Sequence, residues 1–346
     1  MKISLCMIVK DEEAVLARCL DSAASLVDEI VIVDTGSTDK TVEIAKSYAA
    51  RVLFEPWQDN FAHARNISFQ AATGDFLLWL DADDFVTPAN AERFRMLRER
   101  LSKKPCDTVM CPYETNNLRY FRERLLRNTP EAKWRGHVHE CIAPFGKILH
   151  DEFTVTHLSS GKDKSWRNLH IYQKWANEES LSGRDLFYYG RELYYHRLYA
   201  EAIAVLERML KGDGWYVNKI EACLVLARCH MLEGNRERAL STLFQSFLFG
   251  EPRATLLCEI GKIFREKNMH SEAIYWYERA FYCRDHSSEG DFELPDCRGI
   301  IPTLELVCLY HALGDVISAR FWHEKSEAIA PDHPSVIFNR NFFNSL

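Results

Sequence analysis

No stretch of this 346-residue sequence approaches the roughly 18 apolar residues that a membrane-spanning helix needs, so no integral membrane segment is expected. The opening run, Met1 to Asp11, lacks the long apolar core and small-residue cleavage site of a signal peptide. Positive charge is in deficit. Lys and Arg number 43 against 50 Asp and Glu, a net charge of −7, which leaves no global cationic field for nucleic acid or anionic lipid. Low-complexity tracts are absent, and 47% hydrophobic with 12% aromatic residues excludes an intrinsically disordered chain. No Cys-x-x-Cys pair occurs, and the 11 cysteines are odd in number and irregularly spread. In a chain too large to need staples, that pattern fits reduced thiols and a cytoplasmic setting.

What is present divides into two halves of different periodicity. Residues 1 to about 160 alternate short apolar runs with amphipathic segments. Ile3 to Val9, Glu29 to Val33 and Phe76 to Leu80 read as strands; Glu12 to Ala24, Lys40 to Ala49 and Phe61 to Ala72 read as helices. Continuous apolar strands with helical crossovers predict a largely parallel sheet covered on both faces. Ligands of such sheets collect at the carboxyl ends of the strands. From about Asp185 the strand signals fade. Ala202, Ala239, Ala273 and Ala319 each have an apolar or aromatic residue four places on, and Gly190, Ala227, Gly261 and Val307 precede them by twelve. The resulting period is near 34 residues, which predicts paired helices stacked with a concave face. Residues 161–184, with Gly161-Lys162-Asp163-Lys164-Ser165, read as a linker between domains 1–160 and 185–346.

Three motifs follow the three strands: Lys10-Asp11-Glu12-Glu13, then Asp34-Thr35-Gly36-Ser37-Thr38-Asp39, then Asp81-Ala82-Asp83-Asp84. Each alone has an ordinary explanation as helix-cap or turn chemistry. Their order at the ends of consecutive strands is harder to obtain by accident. Downstream stand Ala62-His63-Ala64-Arg65-Asn66 and Trp134-Arg135-Gly136-His137-Val138-His139-Glu140.

On these motifs the first 160 residues resemble family 2 glycosyltransferases, and the second half resembles tetratricopeptide repeats. The resemblance implies an α/β, Rossmann-like GT-A domain for nucleotide-diphosphosugar transfer, followed by an all-α helical-repeat domain. It implies a UDP-sugar donor, held with Mg²⁺ or Mn²⁺. Asp83 would ligate the metal, with Asp81 on the ribose or nucleotide side or sharing the metal, and Ala82 lining the donor between them. Asp34 would accept from the base, Ile8 and Val9 would offer it backbone contacts, and Arg65 would face the base and diphosphate. A hard divalent ion suits such carboxylates, because it offsets charge on the departing diphosphate.

Several residues keep two readings. Glu12 is a nucleotide contact or a first-turn acid favoured by the helix dipole. Arg65 is a donor contact or one half of a surface ion pair. Asp84 aids the donor sugar or caps the helix that Thr87-Pro88 begins. Glu140 is the candidate general base for an inverting displacement, with Asp84 its rival, or else belongs to a half-buried edge strand. His157 completes the metal site or is structural. A zinc site from Cys106, Cys111, His137, His139 and Cys141 is a further alternative. The loops that read sugar hydroxyls are expected within 105–135, and the basic run Arg93 to Lys104 as a solvated face. For the whole chain, the leading expectation is an inverting, metal-dependent transferase acting on a protein or peptide Ser, Thr or Cys. The repeats would bind that acceptor and offer a surface for a homodimer. The rival expectations are a transferase extending lipopolysaccharide or another glycan, and a repeat adaptor whose transferase domain is inactive.

Overall fold

Strands β1 (Ile3–Val9), β2 (Glu29–Asp34) and β4 (Phe76–Trp79) are buried almost throughout, as continuous apolar runs require of central strands. They occur in a computed structural model that describes residues 1–115, 119–158, 165–178, 180–286 and 294–345. The chain forms two compact units, Met1–Glu178 and Glu179–Leu346.

In the first unit, helices α1 (Leu16–Ala23), α2 (Thr41–Ser47) and α3 (Phe61–Ala71) link β1, β2, β3 (Arg51–Phe54) and β4. These four strands are mutually parallel in the order β3-β2-β1-β4. Beyond them come β5 (Asp84–Phe85), α4 (Pro88–Lys103), β6 (Thr108–Glu114), β7 (Arg119–Arg127), β8 (Ile148–His150), β9 (Val155–His157) and α5 (Ser165–Glu178). The sheet continues from β4 as β7-β6-β9-β5, with β8 also on β6. Among the described residues, the β4·β7, β6·β7 and β5·β9 pairs are antiparallel and the other five pairs parallel, so the sheet is largely parallel, as expected, with its antiparallel pairs all beyond β4. Within 105–135, where sugar-reading loops are expected, β6 and β7 pair across Thr108–Glu114 and Arg119–Leu126. Core packing centres on Ile3, Leu5, Met7, Ile32, Leu78 and Leu125, all essentially without exposure.

A helix stands where a linker was expected. Leu169, Ile171 and Tyr172 of α5 are buried, and the helix belongs to the first unit. The polar lead-in disguised it, whereas Leu169 and Tyr172, three apart, give it an apolar face. Residues 161–164 and 179 of that expected linker lie outside the described residues.

The second unit is built of antiparallel helix pairs of tetratricopeptide type: α6 (Gly183–Tyr195) with α7 (Tyr199–Lys211), α8 (Tyr216–Leu232) with α9 (Arg236–Gln245), α10 (Ala254–Glu266) with α11 (His270–Phe281), and α12 (Ile300–Ala312) with α13 (Val316–Ile329). A last helix, α14 (Pro334–Asn344), packs on α13. Every pair turns through one left-handed residue two places past its first helix: Arg197, Gly234, Asn268 and Gly314, with φ of 61°, 78°, 56° and 79°. The alanines at 202, 239, 273 and 319 are completely buried. The one long period, 273 to 319, accommodates an extra connection that includes a 3₁₀ turn at Pro295–Arg298. Among the described residues, no helix is long and apolar enough to cross a membrane.

Candidate active site

Asp81, Asp83 and Asp84 leave the carboxyl end of β4 at the edge of the core. Asp84 opens β5, which pairs with β9 so that Asp84 lies directly opposite His157. The pairing carries the histidine to the acidic turn. His157 Nδ1 is 3.5 Å from Asp83 Oδ1 and 3.4 Å from Asp84 Oδ1. The hydrogen bond to Asp84, aided by the charge of Asp83, raises the His157 pKa despite partial burial. Potential ligand atoms of Asp83, Asp84 and His157 all lie within 4.8 Å of one another.

Asp84 does not cap α4. Thr87 does, its hydroxyl accepting from the Asn90 N–H at 3.3 Å. The Asp84 carboxylate, fully buried, accepts instead from the Asp81 N–H at 3.0 Å, the Tyr113 hydroxyl at 3.0 Å and Arg124 Nη1 at 3.1 Å. Burial and then the Asp84 charge push the Tyr113 phenol up, so it stays a donor.

Arg65 is held on α3 with 7% exposure. Its Nη2 donates to Asp81 Oδ1 at 2.6 Å and its Nε to Glu140 Oε1 at 2.7 Å. The guanidinium also faces the Trp134 and Trp79 rings at 4.8 and 5.3 Å. Burial works against the charged form of Arg65, but Asp81 and Glu140 outweigh it and raise its pKa. Burial likewise opposes ionisation of Asp81, yet Arg65 and then Arg124 hold its carboxyl down at about 2. Arg65 is therefore not a surface pair, and Asp81 faces it rather than joining the Asp83–His157 group.

Glu140 does not sit on an edge strand. Residues 135–141 form a loop closed by backbone bonds between Arg135 and Cys141 at 3.0 and 3.1 Å. Gly136 and His139 take positive φ, 93° and 51°, so side chains do not alternate along it. No zinc constellation exists among the described residues: Cys106 and Cys111 are buried in the apolar core, and Asp83, Asp84 and His157 form the one metal-capable group.

The remaining predicted residues lie at the ends of β1 and β2. Asp34 is buried and accepts from the Gly36 and Ser37 N–H groups, each at 3.2 Å, which shapes the turn. The Val9 carbonyl accepts from both the N–H and the hydroxyl of Thr35, at 3.0 and 3.1 Å. Ile8 is half-buried beside it, and the Glu12 N–H donates to Thr41 Oγ1 at 2.7 Å. Ala82 is buried between the two aspartates. In the basic run, Arg98 pairs with Asp28 at 2.7 Å and Arg95 with Glu92 at 2.9 Å.

Sequence reasoning missed Arg124, Arg122, Tyr113, Trp79 and Trp134. Arg124 has no exposure and lies 3.7 Å from the Trp79 ring centre and 4.3 Å from that of Tyr113. The available signal was the strand-like ending of Arg119–Arg127, where arginines at 122 and 124 run into Leu125-Leu126. Arg122 pairs with Glu123 at 3.1 Å and faces Trp79 at 5.0 Å. Three guanidinium groups (Arg65, Arg122, Arg124) thus meet five carboxylates (Asp81, Asp83, Asp84, Glu123, Glu140). The surplus of two negative charges, with oxygen and imidazole donors beside it, fits a divalent cation.

The model of the family described as Glycosyl transferase family 2 matches residues 4–160. An uncharacterized glycosyltransferase of Rickettsia conorii is 35% identical over 288 residues, spanning 82% of this chain and 80% of that one. The chain belongs to glycosyltransferase family 2. The glycosyltransferase SunS of Bacillus subtilis is 28% identical over 222 residues, 60% of this chain and 52% of the relative. A TPR repeat-containing protein of Synechococcus elongatus is 38% identical over 145 residues, 41% of this chain and 35% of its own length. The chain thus spans between a third and about half of these two relatives.

Proposed function

We propose that this family 2 chain transfers a sugar, with inversion, from a UDP-sugar to a Ser, Thr or Cys side chain of a protein or peptide. The observation that carries the reading is the Asp83, Asp84 and His157 group at the carboxyl end of β4, coupled through the Asp81 N–H to the Arg65–Asp81 pair. Asp83 and His157, with Asp84 behind them, would hold Mg²⁺ or Mn²⁺, which neutralises negative charge on the leaving diphosphate. Asp34 and the backbone at Ile8 and Val9 take the base, while Asp81 and Ala82 take the nucleotide side.

On the acceptor side, a hydroxyl or thiol attacks the anomeric carbon as the bond to the diphosphate oxygen breaks. The acceptor proton passes to Glu140, whose Oε1 is anchored by Arg65 and whose other oxygen is left for that task. A thiol needs little such help, since its ordinary pKa is near 8.5. The helical repeats supply a surface suited to an extended polypeptide, and to self-association. The odd number and irregular spread of the cysteines favour reduced thiols and a cytoplasmic setting.

The test is release of UDP from a panel of UDP-sugars with Mn²⁺, using peptide acceptors and water. Release that disappears in Asp83→Ala supports the reading. Neither release nor UDP binding by the wild-type chain, with any donor, would overturn it in favour of an inactive adaptor.

A further inference from the structure

Residues 137–139 lead directly into Glu140, and each of the three is gripped from outside its own loop. The His137 ring meets Trp175 with centroids 3.8 Å apart, and the His137 carbonyl accepts from the Phe61 N–H at 2.9 Å. The Val138 carbonyl accepts from the Tyr172 hydroxyl at 3.4 Å. The His139 ring stacks on Tyr172 at 6.5 Å. His139 also holds a left-handed φ of 51°, a conformation that costs a non-glycine residue free energy and persists only when its surroundings fix it. Three of these four grips come from α5.

The same helix reaches the segment that leads into Arg65. Lys174 Nζ pairs with Asp59 Oδ2 at 2.7 Å, and the Arg167 guanidinium lies over the Phe61 ring at 4.7 Å. Phe61 opens α3, which carries Arg65. Both partners of the Arg65–Glu140 pair are therefore approached through chain that α5 holds, although α5 lies beyond residue 160, where the family match ends.

We propose that α5 is a positioning element for the carboxylate that receives the acceptor proton, with Trp175 and Tyr172 as positioning residues acting through His137–His139. This rests on the role given to Glu140 above. Neither residue touches the reacting atoms. Their rings fix the strained turn from which Glu140 projects, and a proton acceptor displaced by an ångström loses much of its effect.

The experiment uses the full chain and the variants Trp175→Ala, Trp175→Phe, Tyr172→Phe, Trp166→Ala and Glu140→Gln. The first readout needs no substrate: amide hydrogen exchange followed by mass spectrometry. Trp175→Ala should speed exchange over 136–141 while leaving β1 and β4 unchanged. Trp166→Ala, on an exposed face of the same helix, should change neither. The second readout is UDP release from a UDP-sugar with Mn²⁺, beside the affinity for UDP–Mn²⁺. Trp175→Ala should release UDP about ten- to a hundredfold more slowly with affinity held within about twofold, and Trp175→Phe should recover most of the rate. Tyr172→Phe should show a smaller loss. Unchanged exchange in Trp175→Ala, or turnover and UDP affinity falling together, overturns the inference. A normal rate in Trp175→Ala beside an inactive Glu140→Gln removes only the role of α5. A normal rate in Glu140→Gln removes the base assignment itself. If the wild-type chain releases no UDP, the exchange result alone decides whether α5 holds the turn.

Discussion

Arg124 and Asp84 form an ion pair in which neither side chain has any exposure, with Nη1 3.1 Å from Oδ2. Arg124 Nη1 also donates to the Trp79 carbonyl at 3.1 Å, so one group ties the acidic turn to the end of β4. The guanidinium lies between the Trp79 and Tyr113 rings, which compensate part of its lost hydration.

Replacing Arg124 with methionine removes the guanidinium that faces the buried Asp84 carboxylate, and breaking such a buried pair typically costs about 3–5 kcal/mol, of which Tyr113 and His157 should offset a part. Urea denaturation should register a loss of that order. The double variant Arg124→Met/Asp84→Asn should recover a good part of it, because the charge that suffered is gone. Additive losses in the double variant would mean that the pair does not act as a unit.

That pair also marks where the sequence stops being informative. Strands β1, β2 and β4 were readable because a parallel strand buried on both faces must be apolar along its length. The acidic motifs were readable because they follow those strands. Strand β7 was hidden: Arg119, Arg122, Glu123, Arg124 and Arg127 give it the composition of a solvated loop. Arg124 is buried only because Asp84 and the rings of Trp79 and Tyr113 arrive from elsewhere in the chain, which no local pattern announces. The same holds for α5, whose polar approach concealed a packed face. In the second unit the period was legible, since small residues must recur wherever helices touch.

Removing Asp83 should separate metal binding from folding. The site carries two carboxylates beyond its guanidinium partners, so without a cation Asp83 repels Asp81 and Asp84. Asp83→Asn should leave the apo chain at least as stable as wild type, a trade of function against stability. Melting with and without Mn²⁺ and UDP should show a ligand-dependent rise in wild type and none in the variant. A ligand-dependent rise that survives in Asp83→Asn would place the cation elsewhere.

Arg65 bridges Asp81 and Glu140 with two different nitrogens, a geometry that lysine cannot reproduce. Arg65→Lys should therefore lose UDP release while keeping the charge. The pH dependence of stability should change as well. Asp81 is held at about 2 against an ordinary 3.8, so its contribution is complete above pH 3.8 and disappears as pH falls through 2. In Arg65→Ala that contribution is largely absent, and the stability curve between about pH 4 and 2 should flatten. An acid limb as steep as in wild type would show that Arg65 is not what depresses Asp81.

Gly190 and Gly261, inside helices α6 and α10, should respond differently to alanine. A Cβ at Gly190 would lie 2.4 Å from Leu206 Cδ2 and 2.6 Å from its Cγ, inside a fully buried side chain. At Gly261 the nearest atoms are those of the Tyr277 ring, at 3.0 Å. Alanine in a helix gains about 1 kcal/mol over glycine, whereas overpacking costs about 1–3 kcal/mol. Overpacking should win at 190 and lower the melting temperature, while at 261 the two effects should nearly cancel. In a Leu206→Ala background the clash is gone, so there Gly190→Ala should become stabilising, and the double-mutant cycle measures the coupling. If Gly190→Ala raised the melting temperature of the otherwise wild-type chain, close approach of α6 and α7 would not be the reason glycine stands there.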